Sequence, residues 1–215
     1  MALNFLVGKK VLVLDTETTG LPRQPQAYQY YPYHDTKYYD TSRILEIGWY
    51  YTDNYQGEYL VDDIKSFIRK PNNFDASVFN PPSIEKHGLT FDKTQSQGVP
   101  FKIILEDHGL CMAIKSAEYF VSYKTSFDHN ILGSEIARLK KGGRLMLKNL
   151  DKIELVDPML ISTNICKLPN KNKPNEFKWP SLPELYEHFY HHPSVDQHRA
   201  KGDVITLLDC MIKMI

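Results

Sequence analysis

The sequence predicts an α/β fold in which a mixed central sheet of about five strands is flanked by helices. Three observations carry this expectation. Val11-Leu12-Val13-Leu14 is an apolar run of strand character that leads into Asp15-Thr16-Glu17-Thr18-Thr19-Gly20. Residues 44–51 and 59–68 read as two further strands joined by the turn Asn54-Tyr55-Gln56-Gly57, an antiparallel start. Beyond Pro100, helical stripes alternate with short strand candidates, as in a sheet covered by helices.

The 215 residues fit one domain with a sizeable core, so 1–215 is read as a single unit. Lys+Arg and Asp+Glu both count 26, so no global field draws in a polyanion, and any nucleic-acid contact must be local. Cys111, Cys166 and Cys210 are an odd number without Cys-x-x-Cys spacing, which disfavours a zinc site and a disulfide framework and suits a reducing compartment. Residues 2–7 are short and are followed by Lys9 and Lys10, the reverse of a secretory signal, and no stretch reaches transmembrane length. The expectation is a soluble intracellular protein, cytoplasmic or nuclear, with no membrane partner.

After the first strand, residues 21–42 form a Tyr- and Pro-rich insertion carrying Tyr28, Tyr30, Tyr31, Tyr33, Tyr38 and Tyr39. It lacks helical or strand periodicity and reads as a long loop between strands. A flap packed on its own rings is favoured over a set of stacking platforms for bases. Pro81 and Pro82 break the chain, and Ser83 to Gly88 reads as a helical turn closed by glycine. Pro100 opens a helix whose Phe101, Ile104, Leu105, Cys111, Met112 and Ile114 should face the sheet.

Residues 118–123 are the next strand candidate, followed by a helix over 129–139 with Ile131, Leu132, Glu135, Ile136 and Leu139 as its stripe, stopped at Gly142-Gly143. Lys140, Lys141, Arg144 and Lys148 form a basic cluster read as a solvated face. Leu155-Val156-Asp157 is a short strand, and 167–178 a loop. Ser181-Leu182-Pro183-Glu184 has capping-box spacing ahead of a helix that ends at His191-His192-Pro193. A last helix begins near His198, with Val204, Leu207, Leu208 and Met211 on one face and Asp203 in its first turns. Trp179 is assigned to the core, and His34, His87, His108, His129, His188, His191 and His192 show no ligand pattern.

The chemistry concentrates in a few acids. Strand side chains alternate, so Asp15 and Glu17 point the same way at one edge of the sheet. Two like charges there raise each other's pKa unless a cation neutralises them, and hard oxygen ligands suit Mg²⁺ or Mn²⁺. Asp128, at a strand-to-helix junction, and Asp203 extend the acid set; His198 lies five residues before Asp203. Each alone is weak, because a single Asp at a helix start is usually a cap.

Taken in order, these residues resemble the motifs of the DnaQ-like exonucleases, the DEDD group with a histidine in its third motif. Asp15-Thr16-Glu17-Thr18-Thr19-Gly20 is similar to the first motif, Phe127-Asp128 to the second, and His198 with Asp203 to the third. Arg43-Ile44-Leu45-Glu46-Ile47-Gly48, His87-Gly88-Leu89-Thr90, Val156-Asp157 and Ser181-Leu182 resemble landmarks between them, so the likeness spans nearly the whole chain. Where the tyrosine variant carries its Tyr, four residues before the last Asp, this chain has Arg199.

The resemblance implies a ribonuclease-H-like fold and metal-dependent 3′-to-5′ exonuclease action on DNA or RNA, releasing nucleoside 5′-monophosphates. It implies two Mg²⁺ or Mn²⁺ ions held by Asp15, Glu17, Asp128 and Asp203, with His198 as general base. The implied partner is nucleic acid with a free 3′ end; a polymerase on another chain and a homodimer partner stay open. The alternative is a nucleic-acid-binding or polymerase accessory subunit with little activity of its own.

Overall fold

A computed structural model of the chain describes residues 2–139, 142–194 and 198–215. Lys140 and Lys141 of the basic cluster lie outside the described residues. The chain lays down β1 (Val11–Thr18), β2 (Ile44–Thr52), β3 (Lys65–Lys70), α1 (Pro81–His87), α2 (Phe91–Gln97) and β4 (Val99–Pro100). It continues through α3 (Phe101–Glu106), α4 (Leu110–Ser116), β5 (Tyr119–Val121), α5 (Thr125–Ala137) and α6 (Gly143–Leu150). It closes with β6 (Glu154–Val156), α7 (Pro158–Cys166), α8 (Leu182–Tyr190) and α9 (Ala200–Met214).

The sheet is mixed and ribonuclease-H-like. Among the described residues it has six strands in the order β4-β3-β2-β1-β5-β6, one more than expected because β4 is only two residues long. β1–β2 and β2–β3 are antiparallel, while β1–β5 and β5–β6 are parallel. Alternation along β1 divides the core. Leu12 and Leu14 face α3, α4, α5 and α6 through Ile104, Ile114, Ile131 and Met146. Val11 and Val13 face α8 and α9 through Leu185, Val204, Leu207 and Met211. The sheet is therefore covered on both faces, as a strand apolar on both sides requires.

Several boundaries move for local reasons. β3 starts at Lys65, since residues 61–63 form a 3₁₀ turn and Leu60 and Val61 stay exposed instead of pairing. Pro81 and Pro82 begin α1 rather than break the chain: the first helical turn leaves its N–H groups unpaired, so a residue without one fits there. Gly88 ends that helix at φ +68°, as expected. The helix expected after Pro100 is two, split at Gly109, whose φ of +87° a side chain would resist. Met112 falls on the outer face, 58% exposed. α5 ends at Ala137, capped at Arg138, before Gly142-Gly143 is reached; those glycines start α6 instead, with Gly142 as its left-handed N-cap, and Asp157 caps α7 by accepting from the Met159 N–H at 3.0 Å. The capping box at Ser181 forms as expected.

Candidate active site

β1 positions the first two acids. Val11 to Leu14 bury fully, and the strand then carries Asp15 and Glu17 on the α9 face while Thr16 and Thr18 turn to the α5 face. The site is not at an edge of the sheet. β1 lies between β2 and β5, so the acids sit mid-sheet at a strand end, where a register shift between Glu17 and Thr18 opens the ladder.

Helix α9 brings the third acid. Gly48, paired with Asp15 across the ladder, has no side chain to hold α9 away; a Cβ there would stand 2.8 Å from the carbonyl carbon of Ala200. The helix start rests on this bare strand, and Asp203, in its first turn, reaches back to β1. One carboxylate oxygen each from Asp15, Glu17 and Asp203 lies within 4.8 Å of the others. An octahedral Mg²⁺ or Mn²⁺ at roughly 2.1 Å from its ligands spaces them about 3–4 Å apart, so this hard, all-oxygen set fits such an ion.

The fourth acid stands beside this group, outside the trio. Asp128, 2% exposed in the first turn of α5, accepts from the Thr16 N–H at 3.0 Å and hydroxyl at 2.6 Å through Oδ1, and from the Ser122 hydroxyl through Oδ2. Oδ2 keeps one lone pair that no protein donor takes in these bonds. His198, exposed and at φ +62°, donates its backbone N–H to Asp203 Oδ2 at 3.2 Å and lines the same cleft as Glu17.

Without a cation the acids repel. Burial, then Asp128, Asp203, Glu17 and Glu46, hold the Asp15 carboxyl well above the carboxylate range. Burial and the same kind of repulsion push Glu17 up to about 8, with Arg199 pulling the other way. Burial raises Asp203 to about 6, eased by the His198 N–H. Burial raises Asp128 to about 7 even though the Ser122 and Thr16 hydrogen bonds favour its anion. Such mutual elevation is what a divalent cation would reverse.

Glu46 was not among the expected site residues. It lies directly opposite Glu17 on β2, 3% exposed. Arg199 grips it bidentately at 2.9 and 2.7 Å, and the Ala200 N–H donates to it at 3.1 Å. This acid thus ties down the start of α9 and the segment bearing His198. Its signal in the sequence was a lone charge inside the apolar run Ile44-Leu45-Glu46-Ile47.

Much of the insertion packs on its own rings and on α5, as favoured. Its base is zipped by Thr19, whose Oγ1 donates to the Thr41 carbonyl at 3.0 Å and accepts from the Arg43 N–H at 2.9 Å. Tyr39 is fully buried, Tyr31 stacks on Tyr38 at 3.7 Å, and the Tyr33 ring lies on Gly133 of α5 so closely that a Cβ there would meet it at 2.6 Å. Those rings pack. Tyr28 and Tyr30 instead border the cleft, a cavity of about 540 Å³ whose walls include Glu17, Leu21, Lys124 and His198. Trp179 is 45% exposed rather than in the core, its ring edge-on to Tyr28 at 5.0 Å. His87 is structural: its Nδ1 accepts from the Leu89 N–H at 3.1 Å, leaving Nε2 to donate to the Thr18 carbonyl at 3.2 Å.

No protein-family model and no curated protein sequence matches the chain. Solved structures do. E. coli exonuclease I in its zinc-bound single-stranded DNA complex aligns over 95% of this chain and 40% of its own, with a TM-score of 0.63 and 16% identity. The same enzyme with a dT13 oligonucleotide aligns over 95% and 40%, at 0.64 and 14%. S. pombe Pop2p in its Mg²⁺- and Mn²⁺-bound form aligns over 95% of this chain and 82% of its own, at 0.60 and 19%. The chain spans about 40% of exonuclease I. At these identities the likeness is one of fold.

Proposed function

We propose that the chain is a metal-dependent 3′-to-5′ exonuclease that hydrolyses phosphodiester bonds at the 3′ end of a nucleic acid and releases nucleoside 5′-monophosphates. One observation carries the reading: Asp15, Glu17 and Asp203, distant in sequence, converge to within 4.8 Å. The fold shared with exonuclease I and the metal-bound form of Pop2p support it.

In this reading Asp15, Glu17 and Asp203, with Asp128 beside them, would hold two Mg²⁺ or Mn²⁺ ions. When bound, two such ions activate the attacking water, neutralise the phosphoryl oxygens and stabilise the departing 3′ oxygen. His198, which lines the same cleft as Glu17, takes the water's proton as general base. Thr16 and Ser122 keep the Asp128 carboxylate turned toward β1 through the hydrogen bonds already described. The Glu46–Arg199 pair keeps His198 and Asp203 at the strand end.

The test incubates the protein with 3′- and 5′-end-labelled single strands and duplexes of DNA and RNA, in Mg²⁺, Mn²⁺ or chelator, and reads the product ladder. Shortening from the 3′ end that chelator abolishes is expected, and Asp15→Asn should lower its rate by about 10³-fold or more while strand binding remains. Unchanged cleavage by Asp15→Asn, or cutting of a circular strand, overturns the reading.

A further inference from the structure

A second cavity of about 560 Å³ lies beside the first, and the two share Tyr28 and Lys124 as a common wall. Its other boundary is the segment after α7, where Pro169 and Phe177 form a β-bridge and the Lys178 N–H donates to the Leu168 carbonyl at 2.9 Å. That bridge presents Phe177 and Trp179 outward, 44% and 45% exposed, beside Tyr28 at 56%. Large rings left this open beside a cleft are not packing for the core.

The backbone holds the shared wall in place. Tyr28 and Lys124 are both left-handed, at φ +62° and +68°, a conformation that residues with side chains adopt at a cost. The Lys124 turn is fixed from the cap of α7: Asp157 accepts from the Lys124 and Thr125 N–H groups, each at 3.2 Å. The Lys124 ammonium thereby lies over the Tyr28 ring, 5.9 Å from its centroid. Three lysines, Lys124, Lys173 and Lys178, meet two glutamates along this cavity.

We infer that this second cavity is the track for the nucleotides preceding the 3′ end, with Tyr28 and Trp179 as stacking platforms and Lys124 as a phosphate contact, so that the substrate is a single strand. The inference rests on the exonuclease reading for the strand's polarity. Aromatic faces accept any unpaired base, whereas a base within a duplex has both faces covered by its neighbours. The track adjoins the site that receives the terminal phosphodiester; Lys173 pairs with Glu176 and Lys178 with Glu184, which leaves the Lys124 ammonium as the cation available to a backbone phosphate at the shared wall. The insertion that supplies Tyr28 and the segment that supplies Trp179 meet edge to face at 5.0 Å, so the two exposed rings form one continuous aromatic surface for a passing strand.

The chain has two tryptophans, and Trp49 is 2% exposed, so quenching of tryptophan fluorescence reports Trp179. Titration with dT oligonucleotides of two to about ten nucleotides, in chelator so that nothing is cut, should show quenching and an affinity that rises with length. Trp179→Phe should remove most of the quench and keep the length dependence. Trp179→Ala and Tyr28→Ala should each flatten it, weakening the ten-nucleotide strand about tenfold and the dinucleotide much less, with unchanged melting temperature as the fold control. Equal quenching by a blunt duplex, or length-dependent affinity surviving in both alanine variants, overturns the inference. These binding measurements stand apart from cleavage: a chain that binds by length but never cuts retains the track and loses the exonuclease reading, and one that cuts without length dependence does the reverse.

Discussion

Glu46 adds a fifth carboxylate to a region already crowded with Asp15, Glu17, Asp128 and Asp203, and Arg199 is what makes this tolerable. Glu46→Gln keeps an acceptor for the Ala200 N–H but loses the charge opposite the guanidinium. Arg199 then pairs with the nearest remaining carboxylates, Glu17 and Asp203, and competes with the metal for them. Cleavage should fall about 10- to 100-fold and the Mn²⁺ needed for half-maximal activity should rise in proportion, the scale seen when a residue supporting a metal ligand is removed. A metal titration checks this, and an unshifted midpoint would sink it. Asp128 shows the opposite arrangement. Its two oxygens already serve Thr16 and Ser122, so this proposed metal ligand is also the residue that joins α5 to β1. Sequence spacing could place it at a helix start but not reveal that second duty.

At the level of elements, the site depends on α9 lying against β2. Gly48→Ala would thrust a methyl into the Ala200 backbone, which cannot swing aside as a side chain would. The helix start should retreat, separating Asp203 from Asp15, at a cost of about 1–3 kcal/mol in stability and with a loss of cleavage much larger than the stability change explains. Denaturant unfolding together with rates on one substrate checks both halves. Helix α5 is anchored differently. Glu135, 1% exposed in what reads as an apolar stripe, meets Arg43 at 2.7 Å and Arg69 at 2.6 Å. Burial alone would raise its carboxyl, yet the two guanidinium groups hold it down to about 2. A depressed carboxyl stabilises the fold fully above its unfolded value near 4.5, and that contribution is lost as pH falls toward 2. Glu135→Gln should therefore destabilise the chain by about 3–5 kcal/mol at neutral pH, since it leaves buried arginines without their anion. It should also flatten the acid-unfolding curve below pH ~4.5, and an unchanged curve would refute the assignment.

For the whole molecule, the acid cluster works against the fold at neutral pH when no cation is bound. Glu17, Asp128 and Asp203, pushed up to about 8, 7 and 6, bind protons more tightly folded than unfolded, so stability falls as pH climbs from about 4 to 8. In chelator the melting temperature should drop by on the order of 5 °C between pH 5 and pH 8. Mn²⁺ should restore it, and by more at pH 8, because metal binds the deprotonated oxygens; equal stabilisation at both pH values would count against a shared metal site. The amino-acid order by itself determined the strand that carries Asp15 and Glu17 on one face, the antiparallel start, the capped α8 and the apolar face of α9, because these follow from local alternation, turn chemistry and helical period. It also marked the insertion over about 21–42 as a loop. It did not place the acids mid-sheet, split the helix at Gly109, or separate the tyrosines that pack from the two that face the cleft. Nor did it bring out Glu46. Those were decided by which strand pairs with which and by how closely α9 approaches Gly48, contacts between residues far apart in the chain that leave no periodic trace in it.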